Sequence, residues 1–147
     1  MAKKKMILDL DTGVDDALAI AYALATPDAD LIGIVSSYGN TLVENSAQNS
    51  LNLLALLDAP EVPVFLGEAH SSTTDSFETM AISKAIHGEN GVGNVDVPKA
   101  SRSVEKQHAV DFIIEAAHQY QDDLVMVPTG PLTNLAAAFK KDPEIEQ

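Results

Sequence analysis

Apolar and polar positions along this chain follow two rhythms that take turns. Short unbroken apolar runs come first: Met6-Ile7-Leu8 within a segment of about 5–10, Leu31-Ile32-Gly33-Ile34-Val35, Val62-Pro63-Val64-Phe65 and Leu124-Val125-Met126-Val127. Runs this short, bounded by turn-forming residues, read as buried strands. Between them the apolar residues recur at the helical interval. Ala17, Ile20, Ala21 and Leu24 do so within 14–26, Ala47, Leu51 and Leu54 within Thr41–Leu57, and Val110, Ile113, Ile114 and Ala117 within 104–119. Pro27 stops the first of these helices, because the residue before a proline is pushed out of the α region. Pro131 opens a last helix at a favoured first-turn position, and that helix is expected to run on through Pro143-Glu144-Ile145-Glu146-Gln147.

Continuously apolar strands that alternate with helices predict a parallel sheet covered on both faces. The expected fold class is therefore α/β, doubly wound, with a mostly parallel sheet, helices on both faces and a Rossmann-like core. In such sheets ligands bind outside the carboxyl ends of the strands, so chemistry is to be sought there. Residues 66–103 fit this rhythm worst. Gly67-Glu68-Ala69-His70-Ser71-Ser72-Thr73-Thr74 is small and polar, and His87-Gly88-Glu89-Asn90-Gly91-Val92-Gly93-Asn94 is rich in glycine. A long irregular stretch inside a compact domain is usually functional or disordered. No internal repeat or low-complexity tract interrupts the chain.

The first strand ends in a crowd of carboxylates, Asp9, Asp11, Asp15 and Asp16, in the run Asp9-Leu10-Asp11-Thr12-Gly13-Val14-Asp15-Asp16. Such a crowd repels itself unless a positive charge sits within it, and a hard divalent cation prefers oxygen ligands. Asp9 and Asp11 stand two apart on a strand and share a face. Gly13 permits a sharp turn, and Asp15 and Asp16 then fall in the first turn of a helix, where the macrodipole favours negative charge. Either of the last two can simply cap that helix; all four together point to a cation. An EF-hand is rejected, because its sixth and twelfth loop positions would be Val14 and Ile20 rather than glycine and glutamate.

Further candidates lie at later strand ends. Asn40, in Ser37-Tyr38-Gly39-Asn40, can bind a hydroxyl or cap the helix that follows. His87 is surrounded by Gly88, Gly91 and Gly93, which suggests backbone bending close to something. Thr129, in Val127-Pro128-Thr129-Gly130-Pro131-Leu132-Thr133-Asn134, can cap the last helix or turn its carbonyl, a good Ca²⁺ ligand, toward the strand-end crevice. No Ser-His-Asp order and no Gly-x-x-x-x-Gly-Lys phosphate loop is found.

Bulk composition narrows the partners. At 147 residues the chain is one domain's worth, and 46% hydrophobic content is enough for a real core. The formal net charge is −13, from 22 acidic and 9 basic residues, which argues against nucleic acid and against an anionic membrane surface. There are no cysteines, so disulfides, thiolate metal sites and cysteine nucleophiles are excluded. The basic start Met1-Ala2-Lys3-Lys4-Lys5 is followed by too short an apolar run for a signal peptide, and no run approaches a membrane span. A soluble cytoplasmic protein is the expectation.

In these motifs the chain resembles the nucleoside hydrolases of the inosine-uridine-preferring type. Residues 9–16 match that family's opening pattern Asp-x-Asp-x-Gly-x-Asp-Asp at every fixed position, with Thr12 where proline is frequent. The likeness continues through Gly39-Asn40, His87-Gly88-Glu89-Asn90-Gly91 and Pro128-Thr129-Gly130-Pro131-Leu132-Thr133-Asn134, in order. It implies hydrolysis of the N-glycosidic bond of a ribonucleoside to ribose and free base, as part of purine and pyrimidine salvage. It implies Ca²⁺ as cofactor, held by Asp11, Asp16 and the Thr129 carbonyl, with Asp11 also the general base. Asp15 would bind a ribose hydroxyl, Asn40 would line the ribose pocket, His87 would lie near the substrate, and Asp9 would support the metal ligands from behind. The family's chains are much longer, and their second half supplies a further Asp ligand and a His proposed as general acid. The resemblance therefore implies that residues 1–147 are the N-terminal half of one domain, and that its uncovered edge and apolar faces favour a homo-oligomer.

Two other readings remain open on sequence alone. A Mg²⁺-dependent phosphatase would use Asp9 as nucleophile and Asp11 two residues on, which leaves Asp15 and Asp16 unexplained. A catalytically incomplete chain would bind a cation or nucleoside without turnover.

Overall fold

The computed structural model describes residues 3–146; Met1, Ala2 and Gln147, at the ends of the basic start and the last expected helix, lie outside the described residues. The four apolar runs become β1 (Lys4–Leu10), β2 (Ala29–Ser36), β3 (Val64–Phe65) and β4 (Leu124–Pro128). They form one parallel sheet in the order β3-β2-β1-β4, so β1 is flanked on both sides and its carboxyl end lies in the middle of the sheet. The doubly wound α/β expectation holds.

Alternation along β1 divides the core into two layers. Leu8 and Leu10 pack with Ile20, Ile34, Leu51 and Leu54 under α1 (Val14–Ala25) and α2 (Val43–Leu56). Ile7 faces the other way, with Val35, Phe65, Val110, Ile113 and Ala138. Each fully buried Leu or Ile contributes roughly 1.5–3 kcal/mol, which makes the strand register costly to shift. Asp9 follows Ile7 at the strand period, so its carboxylate enters the second layer instead of facing solvent.

Several boundaries differ from the sequence reading. The helix expected over 104–119 is α4 (Ala109–Tyr120), because Glu105 N donates to Val64 O and Ala109 N to Leu66 O, which draws residues 105–108 alongside β3. His108 caps it, its Nδ1 accepting from Val110 N at 3.3 Å. The last helix, α5 (Thr133–Lys141), begins two residues after Pro131 and does not run on. Pro143 forces Asp142 into an extended conformation, and Pro143–Glu146 forms a separate 3-10 turn.

The stretch 66–103 contains an additional helix, α3 (Ala81–His87). Its apolar pattern is inverted. Ile82 and Ile86 are 61% and 58% exposed, whereas Ser83 and His87 are buried. The rest of the stretch is anchored by individual contacts, such as Phe77 against the Tyr38 ring at 4.8 Å and Ala100 N on the Asn52 side chain at 2.9 Å. Among the described residues, no helix is long and apolar enough to cross a membrane.

Candidate active site

Asp11 stands one residue beyond β1, where the turn into α1 begins. It is 6% exposed, and its Oδ2 accepts a 2.7 Å hydrogen bond from Asn40 N, in the loop after β2. Gly39 precedes that donor at φ +149°, and a Cβ there would overlap the Asp11 carboxylate. The loop can therefore close on Asp11 only as glycine. Burial pushes the Asp11 carboxyl above the ordinary carboxylate range, and the Asn40 N–H opposes the shift.

Asp16 sits in the first turn of α1 and is 2% exposed. Its Oδ2 accepts from Gly13 N at 2.8 Å, satisfying one of the amides a helix start leaves free. Its Oδ1 accepts from the Thr129 hydroxyl at 3.0 Å, which fastens the loop after β4 to the same turn. Thr129 does not cap α5, where Leu132 holds that position without a side-chain bond, and Asn40 does not cap α2, where Leu42 does the same. Both side chains are thus spared from helix capping. Burial raises Asp16 as well, opposed by its two hydrogen bonds and reinforced by the charge of Asp11.

Asp15, next to it, points outward, with its Oδ1 3.8 Å from His87 Nδ1. The same His87 Nδ1 accepts from Val14 N at 3.2 Å, which requires that this nitrogen carry no proton in this arrangement. A Cβ on Gly13 would stand 2.5 Å from His87 Nδ1 and 2.7 Å from the Asn40 side-chain nitrogen. Gly13 is thus the point at which the acidic turn, the Asn40 loop and the end of α3 meet.

Asp9 lies one layer behind. It is fully buried, and its Oδ1 accepts from Asn134 Nδ2 at 3.0 Å, while Oδ2 has no partner among the described residues. Burial raises its carboxyl to about 7, with the Asn134 bond opposing and the charge of Asp11 adding. A carboxylate without exposed surface is not presented to a phosphoester, which removes the geometric basis for Asp9 as a phosphatase nucleophile.

Sequence reasoning gave Asn134 no role, yet it is fully buried and joins three segments. Its Oδ1 accepts from Glu68 N at 2.8 Å, and Nδ2 donates to Ser36 O and Asp9 Oδ1, both at 3.0 Å. The available signal was its place on α5, one turn before the buried Ala138, where an apolar residue would be the default. Ser37 was also missed; its hydroxyl is buried without a described partner.

The residues present fit a hard cation. Asp11 and Asp16 are buried carboxylates on one turn, and none of the described ion pairs gives either of them, or Asp9, a lysine or arginine. Leaving such charges unpaired costs several kcal/mol per ion, to order of magnitude. Among the described residues no three His, Asp or Glu side chains form a metal cage on their own. The donors that converge are two carboxylates with neutral oxygens beside them, a chemistry suited to Ca²⁺ or Mg²⁺.

This architecture is shared with known proteins. A purine-preferring ribonucleoside hydrolase from Gardnerella vaginalis superposes with a TM-score of 0.96 at 57% identity, over 97% of this chain and 45% of that one. Uridine nucleosidase 1 of Arabidopsis thaliana is 34% identical over 139 residues, 95% of this chain and 40% of the relative. A pyrimidine-specific ribonucleoside hydrolase of Escherichia coli is 36% identical over 145 residues, 99% of this chain and 45% of the relative. The chain thus spans less than half the length of these three proteins. The family description "inosine-uridine preferring nucleoside hydrolase" matches residues 6–147, and with motifs, fold and relatives in agreement, the chain belongs to that family.

Proposed function

We propose that the protein of which these residues form the N-terminal half hydrolyses the N-glycosidic bond of ribonucleosides, with Ca²⁺ as cofactor, to give ribose and free base. The observation that carries this reading is the convergence on Gly13 of Asp11, Asp15, Asp16, Asn40 and His87, from three separate segments, at the carboxyl end of the central strand. Asp11, Asp16 and the Thr129 carbonyl would hold the ion. Bound there, Ca²⁺ supplies Lewis acidity and offsets the buried negative charge.

The remaining chemistry belongs to the side chains. Asp11 accepts a proton from the attacking water as the water oxygen bonds to C1′ of the ribose. The C1′–N bond breaks, and its electron pair leaves with the base, which takes up a proton. Positive charge builds on the ribose ring as this happens, and a pocket lined by carboxylates stabilises it. Asp15 hydrogen-bonds a ribose hydroxyl, Asn40 lines the ribose side, and His87 stands near the substrate. Asp9, held by Asn134, keeps the strand end in place from behind.

The named relatives are a purine-preferring hydrolase, a uridine nucleosidase and a pyrimidine-specific hydrolase, so the substrate proposed is the ribonucleoside class. The setting that fits is nucleoside salvage in the cytoplasm by a homo-oligomer, which light scattering of the purified protein would check. The functional test incubates the full-length gene product with inosine, guanosine, uridine and cytidine, with Ca²⁺ or with chelator, and assays reducing sugar. Release of ribose that chelation abolishes is the expected result. No ribose from any nucleoside overturns the reading. The 147-residue chain, tested in parallel, shows whether this half turns substrate over or only binds.

A further inference from the structure

One face of α2 is unexpectedly polar for a buried helix. Ser46, Asn49 and Ser50 lie at i, i+3 and i+4, a single stripe, and all three are buried. Two of them hold the acidic turn. Ser46 Oγ donates to Leu10 O at 2.9 Å and lies within hydrogen-bond distance, 3.2 Å, of Thr12 Oγ1, and Ser50 Oγ shares a 2.8 Å hydrogen bond with the same threonine hydroxyl. The third turns elsewhere: Asn49 Nδ2 donates to Asn90 O, in the glycine-rich loop, at 2.8 Å.

That loop is tied into one block. Gly93 N donates to His87 O at 2.7 Å, and Asn90 Oδ1 accepts from Val92 N and Asn94 N at 3.0 and 2.9 Å. Asn94 Oδ1 accepts from Glu89 N at 2.8 Å, and Asn90 Nδ2 donates to Val95 O at 2.9 Å. Bonded this densely, residues 87–95 form one block, and His87 belongs to it. Among the described residues, two hydrogen bonds join residues 87–95 to the sheet-bearing body: His87 with Val14 N, and Asn49 with Asn90 O. The first is at the site itself. The second comes from the helix face that also fixes Thr12.

We infer that Asn49 is a positioning residue: its side-chain amide holds the His87 loop in register with the acidic turn, which Ser46 and Ser50 hold from the same face of α2. Asn49 acts through His87 and does not itself reach substrate. The catalytic consequence rests on the nucleosidase reading, whereas the tether itself does not.

Hydrogen exchange on the full-length protein without substrate tests the tether. Asn49→Leu removes the donor at similar volume, and exchange of residues 88–95 should rise about two- to tenfold, the weight of one hydrogen bond, while residues 10–16 stay protected. Ser50→Ala should do the converse, loosening 10–16 and leaving 88–95 unchanged. A uniform rise across the protein in Asn49→Leu, or unchanged protection of 88–95, overturns the inference. If leucine is not accommodated, Asn49→Ala gives the same reading, and Asn49→Gln, which keeps an amide, should recover part of the protection. In steady state, Asn49→Leu should raise KM for a cleaved nucleoside by a similar factor, with kcat within about twofold; an unchanged KM overturns the positioning role. A wild-type protein without turnover would sink the nucleosidase reading and leave the exchange result standing.

Discussion

The acidic turn and the glycine-rich loop meet at Gly13, yet they are fixed by opposite means. The acidic turn is built largely from outside: Asn40 N, the Thr129 hydroxyl, Ser46 and Ser50 each hold one of its groups, and they come from the loops after β2 and β4 and from α2. The loop is built from inside, by its own asparagines, and touches the body at few points. A turn held from outside fixes the position of its charge, which matters for the proposed base because a misplacement of about 1 Å can cost about 10²-fold in rate. A loop held from inside can be ordered as a block and still be displaced as a block, a mechanically different way to present His87.

The sharpest way to break the comparison is at the turn. Asp11→Asn keeps the size of the side chain and the bond from Asn40 N, but removes the carboxylate proposed as the base. In the full-length protein, kcat/KM should fall about 10²- to 10⁴-fold, the usual range for a positioned general base, with the circular dichroism spectrum unchanged. His87→Ala, by contrast, should cost less, about tenfold to a hundredfold, because in the proposed mechanism the loop side of the site positions substrate and does not carry the proton. Equal losses for the two would mean that the turn and the loop do not differ in role.

Behind the turn, Asn134→Ala should give the largest loss of stability. It strands Asp9 Oδ1, Glu68 N and Ser36 O at once, and stranded buried groups cost about 1–3 kcal/mol each, so a total of about 3 kcal/mol or more is expected by urea denaturation. Asp9 then sets a pH dependence. Its carboxyl is raised from 3.8 to about 7 in the folded chain, so the folded state holds a proton that the unfolded state releases. Stability is therefore greatest below the unfolded value and falls as pH rises from about 4 to about 7, by an upper limit of about 4 kcal/mol. Asp9→Asn should flatten that slope in Ca²⁺-free buffer, and a slope that persists would assign it to other groups.

Gly13→Ala is a smaller perturbation of both regions together. The new methyl would stand against His87 and Asn40 side chains, which can shift, so overpacking of about 1–3 kcal/mol is expected. Thermal unfolding measures the cost, and loosened exchange at both 10–16 and 88–95 would show that the two regions meet here.

What the sequence made legible follows from the same contrast. The strands and most helices were readable because their buried faces are apolar and periodic, as at Leu8 and Leu10 or Val110 and Ile113. The turn was readable because its chemistry is local: eight consecutive residues hold Asp9, Asp11, Asp15 and Asp16. α3 was not, because it buries Ser83 and His87 and exposes Ile82 and Ile86, the reverse of the pattern used to find helices. Asn134 and Asn49 were not, because their partners lie far along the chain, at Asp9 and Asn90, and no local rule connects them. The end of α5 differs from expectation because the Pro143 ring pushes Asp142 out of the helical region.

The smallest effect lies at the surface and carries the opposite sign. Asp142 Oδ2 meets His118 Nε2 at 2.7 Å, joining the end of α5 to α4, and this bond lowers the Asp142 carboxyl below its ordinary value. A lowered carboxylate contributes stability above its unfolded pKa and loses it as pH falls through its folded one. Asp142 thus favours folding at neutral pH and gives that up below about 4, whereas Asp9 favours folding in acid and gives that up toward 7. His118→Gln should remove only the acid-side loss, and by little, since exposed pairs are screened by solvent and salt. Unfolding midpoints of the two single variants across pH 3–8 would separate a buried carboxylate from an exposed one by the sign of the slope. If both slopes had the same sign, burial would not be what distinguishes the carboxylate behind the acidic turn from the one at the surface.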